Sequence, residues 1–326
     1  MVADGCSGPV RQGPVDAGDG RRTAARPGTG TIAPVIAILA GFSTALFWSG
    51  TTITGARSSR LVGASSTLAI VMLTGLLVAT PFTLLQPLPT DIVGPRNLLA
   101  LGVTGVGNVL GLLLIYRAYR VGLVGIVSAI ASTEGAIAAL ASVLSGERVA
   151  PTIVVALAVI VLGIVVTASS GAAAEEVAES PAPVATRSAT RAIAYASAAA
   201  LCFGSSLFAA AQVSIAMPIV WAVLPARIVG VAVVTLPLVL SGRLTLTRPA
   251  LPWAVASGLF EVLGITSYAI GARDGVAVTS VLASQFGVVS AVLALIVFRE
   301  RLNRAQSVGI GTVAIGVAVL SALRAA

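Results

Sequence analysis

The chain has 326 residues, 57% of them apolar and only 10% charged, with a mean hydropathy of +1.01, which excludes a water-soluble globular fold. Its net charge of +8 is carried by arginine alone, scattered through polar intervals; that fits residues flanking membrane segments better than a nucleic-acid face. Histidine and lysine are absent, which removes imidazole ligation of metal or haem, His-dependent nucleophilic catalysis and any Walker-type phosphate loop.

Residues 1–30, rich in Gly, Pro, Asp and Arg, lack the apolar content to bury a core and read as a disordered tail. Arg21-Arg22 is followed by TAARPG and then by an apolar run too long for a signal peptide, so the first span is a retained anchor. Charges then punctuate the chain. The runs 27–56, 61–90 and 97–116 carry none, and each holds the ~20 apolar residues that cross a bilayer. Residues 121–146, with one internal acid at Glu134, form a fourth span, and 149–170 a fifth. The Ala-, Ser- and Glu-rich stretch 171–191 reads as a polar linker. Five further spans fall near 192–212, 217–240, 250–272, 275–298 and 306–323. The expectation is an all-α integral membrane protein of ten transmembrane helices, five in residues 31–170 and five in 192–326.

The two halves resemble each other. An offset of 153 residues superposes Gly105 on Gly258, Gly111 on Gly264, Gly122 on Gly275, Gly163 on Gly316, and Glu147-Arg148 on Glu300-Arg301. Within the fourth and ninth spans a one-residue slip sets Ser128, Ser132 and Gly135 on Ser280, Ser284 and Gly287. These small residues recur at steps of three and four, forming a stripe on which another helix can close. An odd number of helices per repeat forces the second copy upside down, so two inverted five-helix repeats are expected.

The segment GERVAPTIVVALAVIVLGIVV and its counterpart RERLNRAQSVGIGTVAIGVAVL resemble the ends of the two EamA domains of the drug/metabolite transporter superfamily. FWSGTT at 47–52 is similar to the Trp-Gly element of that family's first helix, and FGSS at 203–206 stands in the equivalent place. The resemblance covers nearly all of the chain after residue 31. It implies a gradient-driven exporter or exchanger of a small metabolite in the cell membrane, working by alternating access without ATP, cofactor or metal, with both termini cytoplasmic.

Ionisable residues within spans are costly, about 2.5 to 3.5 kcal/mol at mid-bilayer, and so carry information. Three sit well inside: Glu134, Arg227 and Glu261. Facing an aqueous cavity, Arg227 would attract an anionic group and the acids would take up protons, giving proton coupling; the structural alternative is an internal Arg-Glu pair that holds helices together. Asn108 and Glu261 occupy corresponding repeat positions and can face each other. Tyr116 and Tyr268, near span ends, are pathway candidates, although Tyr there is more often an interfacial anchor. Gln285 and Trp48 could contact solute or simply pack. Glu147, Arg148, Glu300 and Arg301 end helices and are assigned to structure and gating, the arginines favouring the helix dipole. Pro218, Pro225 and Pro237 in or beside the seventh span predict kinks.

Arginine counts argue against the cytoplasmic termini: that arrangement leaves Arg11, Arg21, Arg22, Arg26, Arg96, Arg148, Arg273 and Arg324 inside and more arginines outside. Cys6 and Cys202 show no metal spacing and read as free thiols. A membrane-embedded enzyme is disfavoured because no span contains His or Asp, and a channel because no ring of charges recurs. A non-transporting scaffold stays open. The expected partners are a small-molecule solute and the lipid bilayer, and two repeats in one chain suffice as a monomer.

Overall fold

The computed structural model describes residues 32–86, 89, 94–152 and 183–298, with 154, 155, 158, 159, 162, 308 and 312. The described chain is helical. Its helices are α1 (Ile32–Val62), α2 (Ala64–Leu84), α3 (Pro95–Val121), α4 (Val124–Ala131), α5 (Glu134–Leu144), α6 (Pro183–Ala216), α7 (Val220–Gly230), α8 (Leu236–Leu240), α9 (Leu251–Ala272), α10 (Val276–Ala283) and α11 (Phe286–Val297). Eight described segments are long and apolar enough to cross a membrane, with α4–α5, α7–α8 and α10–α11 each making one span. The expected fifth and tenth spans lie largely outside the described residues, as do the tail with Cys6 and the pair Glu300-Arg301. Cys202 is a free thiol.

Large apolar side chains such as Leu77, Leu84, Leu99, Leu144, Val233, Leu240 and Ile296 point outward, while the interior is built mostly from Ala, Gly, Ser and Thr. That inversion of a soluble core follows from the solvent: lipid accepts leucine at no cost, so the interior is chosen for close approach and hydrogen bonding. In α1, Thr44 and Ser49 return their hydroxyls to the carbonyls of Ala40 and Ala45 at 2.8 and 2.7 Å, and each also reaches a carbonyl of another helix, Gly264 or Phe286, at 3.3 Å.

The principal packing runs between the halves of the chain. α1 lies along α9, α3 along α6, α2 against α7 and α9, α4 against α11, and α5 against α10. Helix α6 begins at Pro183, inside the interval read as linker, because PVATRSATRA offers a proline for the first turn and an Ala-rich continuation.

Two spans are broken at mid-length. The fourth turns at Ser132-Thr133 and the ninth at Ser284-Gln285. Carbonyls at each break are taken up locally: Ser132 donates to Ala129 at 2.8 Å and Thr133 to Ile130 at 2.8 Å, while Ser284 and Gln285 both donate to Val281 at 2.7 and 2.9 Å. The broken spans cross each other there. A Cβ on Gly135 would stand 2.6 Å from the Ser284 Cβ, and one on Gly287 would stand 2.5 Å from the Ser132 Cβ, so only glycine allows the crossing. The seventh span departs from the α-form over Val231–Thr235, where a π-turn precedes Pro237 and absorbs the hydrogen bond that proline lacks. Pro225 lies within α7, where its carbonyl packs on Gly105.

Candidate functional site

The polar centre assembles from three spans. Arg227 of α7 is fully buried, and its Nη2 donates to Glu261 Oε1 of α9 at 3.3 Å. The same carboxylate oxygen accepts from Asn108 Nδ2 of α3 at 3.0 Å. Arg227 Nη1 points at Met72 Sδ, 3.7 Å away, and its side chain lies over Gly75, with Cδ 2.7 Å from where a Cβ would be. An unpaired guanidinium in this setting would be severely penalised; the carboxylate supplies its counter-charge.

Glu261 and Asn108 also line a small chamber of about 50 Å³, room for a few waters, together with Trp48, Thr51, Thr52, Tyr116, Tyr119, Glu134, Phe203, Ser206 and Phe286. Glu134 is the first residue of α5, at the break of the fourth span, and is 4% exposed. It has no salt-bridge partner among the described residues. Arg227 is not on the chamber wall.

Neither tyrosine anchors at an interface: both are 0% exposed, because α3 runs on beyond Tyr116 to Val121 and α9 beyond Tyr268 to Ala272. Tyr116 shares a hydrogen bond with Ser257 at 3.1 Å and lines the chamber. Tyr268 pairs with Ser280 at 2.9 Å, donates to the Leu207 carbonyl at 3.1 Å and stacks on Trp48, whose ring also meets Phe286 edge-on. Gln285 is buried and spends its amide on Val281, outside the chamber wall.

A larger cavity of about 720 Å³ lies at the end of the bundle where α3 begins and α5, α6 and α9 finish; Arg96, Ser142, Glu147, Gln212, Arg273 and Asp274 are among its lining. Gly204 and Ile137, both on its wall, lie against each other, and Gly204 also lies against the carbonyl of Glu134, a chamber residue. Glu147 accepts from Ser142 and from the Ala277 amide at 3.0 Å, capping the start of α10; Arg148 is exposed. Toward the opposite end the helices are tied together. Arg60 donates to the carbonyls of Tyr119 and Gly122 at 3.0 and 3.4 Å, Tyr119 reaches Thr52 and Ser128, and Arg57 lies over Trp253.

Sequence reasoning missed Tyr119, Phe203, Ser206 and Phe286 as chamber residues. Tyr119 was signalled one turn after Tyr116, and Phe203 and Ser206 by FGSS, but Phe286 carried no signal beyond apolarity.

Residues 35–169 match the EamA-like transporter family. No curated protein matches the chain. A solved crystal structure of a protein shares its fold, with 20% identity, a TM-score of 0.65, and coverage of 88% of this chain and 96% of the other. Its eight described apolar spans make the chain a multi-pass membrane protein, and over residues 35–169 it is similar to the EamA-like transporter family.

Proposed function

We propose that the protein is a secondary carrier that moves a small organic metabolite outward across the cell membrane by gradient-driven alternating access, with the chamber around Glu134, Asn108 and Glu261 as its solute site. The observation that carries this reading is a small polar chamber inside the bundle together with a roomy cavity at one end of it, while at the other end Arg60 ties α1 to the end of α3. A carrier caught closed to one side has this form.

The ten-span, inverted-repeat plan belongs to the same proposal. Its support is reciprocity. Gly135 meets Ser284 as Gly287 meets Ser132, the residues that the repeat offset sets on one another, and Gly75 meets Arg227 as Gly230 meets Met72. Such reciprocal contacts arise when two similar units pack about a shared pseudo-twofold axis. The crossing of the broken spans near Glu134 is then where rocking of one half on the other would alter access.

In this account Arg227 is a positioning residue that holds Glu261, and Glu134 is the group that exchanges a proton against solute. The charged and titratable groups around Glu134 in the chamber are Glu261, Tyr116 and Tyr119, with Arg227 behind Glu261. Both termini are cytoplasmic on this reading. The test is solute efflux driven by an imposed pH gradient in vesicles carrying wild type, Glu134→Gln or no protein. Wild type should respond to the gradient and Glu134→Gln should not; equal gradient dependence in both would remove the proton role.

A further inference from the structure

We infer that the flank of the bundle between α2, α7 and α9 is a site for a phospholipid, with one acyl chain in the groove there and the phosphate on Arg273. This site is separate from the carrier reading and stands without it. The three helices pack on one another and leave a cavity of about 560 Å³. Its floor is buried and apolar, made by Ala79, Val223 and Val262. Phe82, 63% exposed, and Leu263, 46% exposed, stand on its rim, so it opens away from the bundle, where the spans meet lipid. It shares no residue with the chamber around Glu134.

Depth agrees with an acyl chain. The groove runs from Gln86, Pro218 and Arg273, at the ends of the spans, inward to Val78 and Val262. Along α9, Arg273 stands roughly 16 Å from Val262, about half the hydrocarbon thickness of a bilayer. Charge selects the headgroup. Arg273 Nε and Nη2 donate to the carbonyls of Ser214 and Met217 at 2.6 and 2.7 Å, which fix the guanidinium without cancelling its charge. It makes no salt bridge among the described residues, and no acid lines the groove; its neighbour Asp274 lies on the wall of the 720 Å³ cavity instead. A fixed guanidinium at a membrane surface, beside an apolar slot, pairs with phosphate oxygens. Thr266, about two turns below Arg273, and Gln86 at the mouth add a hydroxyl and an amide for the glycerol esters. A soluble anion would leave the apolar floor uncovered, and a lipid without phosphate would leave the arginine unpaired.

The test uses the full chain in dodecyl maltoside micelles, titrated with phosphatidylglycerol or diacylglycerol carrying the same diazirine-labelled acyl chain, irradiated and mapped by peptide mass spectrometry. Phosphatidylglycerol should label residues 78–86, 219–223 and 262–266 saturably, with diacylglycerol at least threefold weaker there. Labelling of the lipid-facing side of α3, residues 99–110, should not saturate and should be equal for the two probes. Arg273→Gln should lower groove labelling by phosphatidylglycerol at least threefold, toward the diacylglycerol level. Because Arg273 also holds the end of α6, Thr266→Phe serves as a second variant: it fills the groove, leaves the arginine in place and should lower labelling by both probes. Labelling spread evenly around the bundle, equal labelling of the groove by the two probes, or unchanged labelling in a folded Arg273→Gln protein overturns the inference. If Arg273→Gln does not fold, Thr266→Phe and the comparison of the two probes decide it.

Discussion

Asn108 and Glu261 stand 153 residues apart in the chain and meet through one hydrogen bond of 3.0 Å at the centre of the bundle. The bond joins α3 to α9 and fixes the carboxylate that Arg227 also needs. One residue supplies the donor and the other the acceptor. Had both been acidic, the centre would hold like charges in contact; as Asn and Glu, they share a proton-bearing link and leave a single carboxylate for Arg227.

Removing Glu261 should therefore be more damaging than removing the pair. Glu261→Ala strands a fully buried guanidinium and is expected to destabilise the protein by about 3–5 kcal/mol. Combining Glu261→Leu with Arg227→Met leaves no unpaired charge and should lose less than either single change. Thermal midpoints in one detergent check this; additive losses would show that the pair is not a unit.

Gly135→Ala and Gly287→Ala should each separate the crossing of the fourth and ninth spans, at about 1–3 kcal/mol. Gly102→Ala, where an added Cβ meets nothing within 4 Å, is the control and should be neutral or gain up to about 1 kcal/mol from helix propensity. Equal midpoints for all three would contradict the close approach.

Position along the chain was legible because arginines and turns interrupt the apolar runs, and the eight described spans start and stop near those charges. The breaks in the fourth and ninth spans were not. Neither Ser132-Thr133 nor Ser284-Gln285 contains a proline or glycine, so local propensity gives no reason to interrupt a helix; the crossing of two stripes of small residues supplies it. For the same reason the stripe was readable from Ser128, Ser132 and Gly135, but its partner was not. Arg227 was recognisable as a charge needing an acid, yet sequence spacing could not choose between Glu134 and Glu261. The tyrosines were placed near an interface because the charge-free runs stop close to them, whereas both rings turn into the bundle: α3 carries Arg117 and Arg120 on its exposed side and Tyr116 on its buried one, and Tyr268 is buried although α9 ends at Ala272.

Loss of the cap on α10 should be local. Glu147→Ala removes the acceptor of the Ala277 amide, and about 1 kcal/mol of capping energy corresponds to roughly a fivefold faster hydrogen exchange at that amide. Exchange at the amides of α9 should stay unchanged; a uniform increase would mean that Glu147 supports the whole bundle.

Tyr268→Phe removes links to both Ser280 and the Leu207 carbonyl and should cost about 1–3 kcal/mol, since it leaves a buried acceptor without its donor. A Tyr268→Phe protein as stable as wild type would assign those contacts no energetic weight.

The proposed carrier places Glu134 in its solute site. The most direct test of that placement is to measure small molecules inside and outside cells expressing wild type, Glu134→Gln or an empty vector, at matched membrane abundance of the two proteins. One class of metabolite should accumulate outside with wild type and fall at least tenfold toward the vector level with Glu134→Gln. No solute moving with abundant, folded wild type, or equal export by the variant, would contradict the claim.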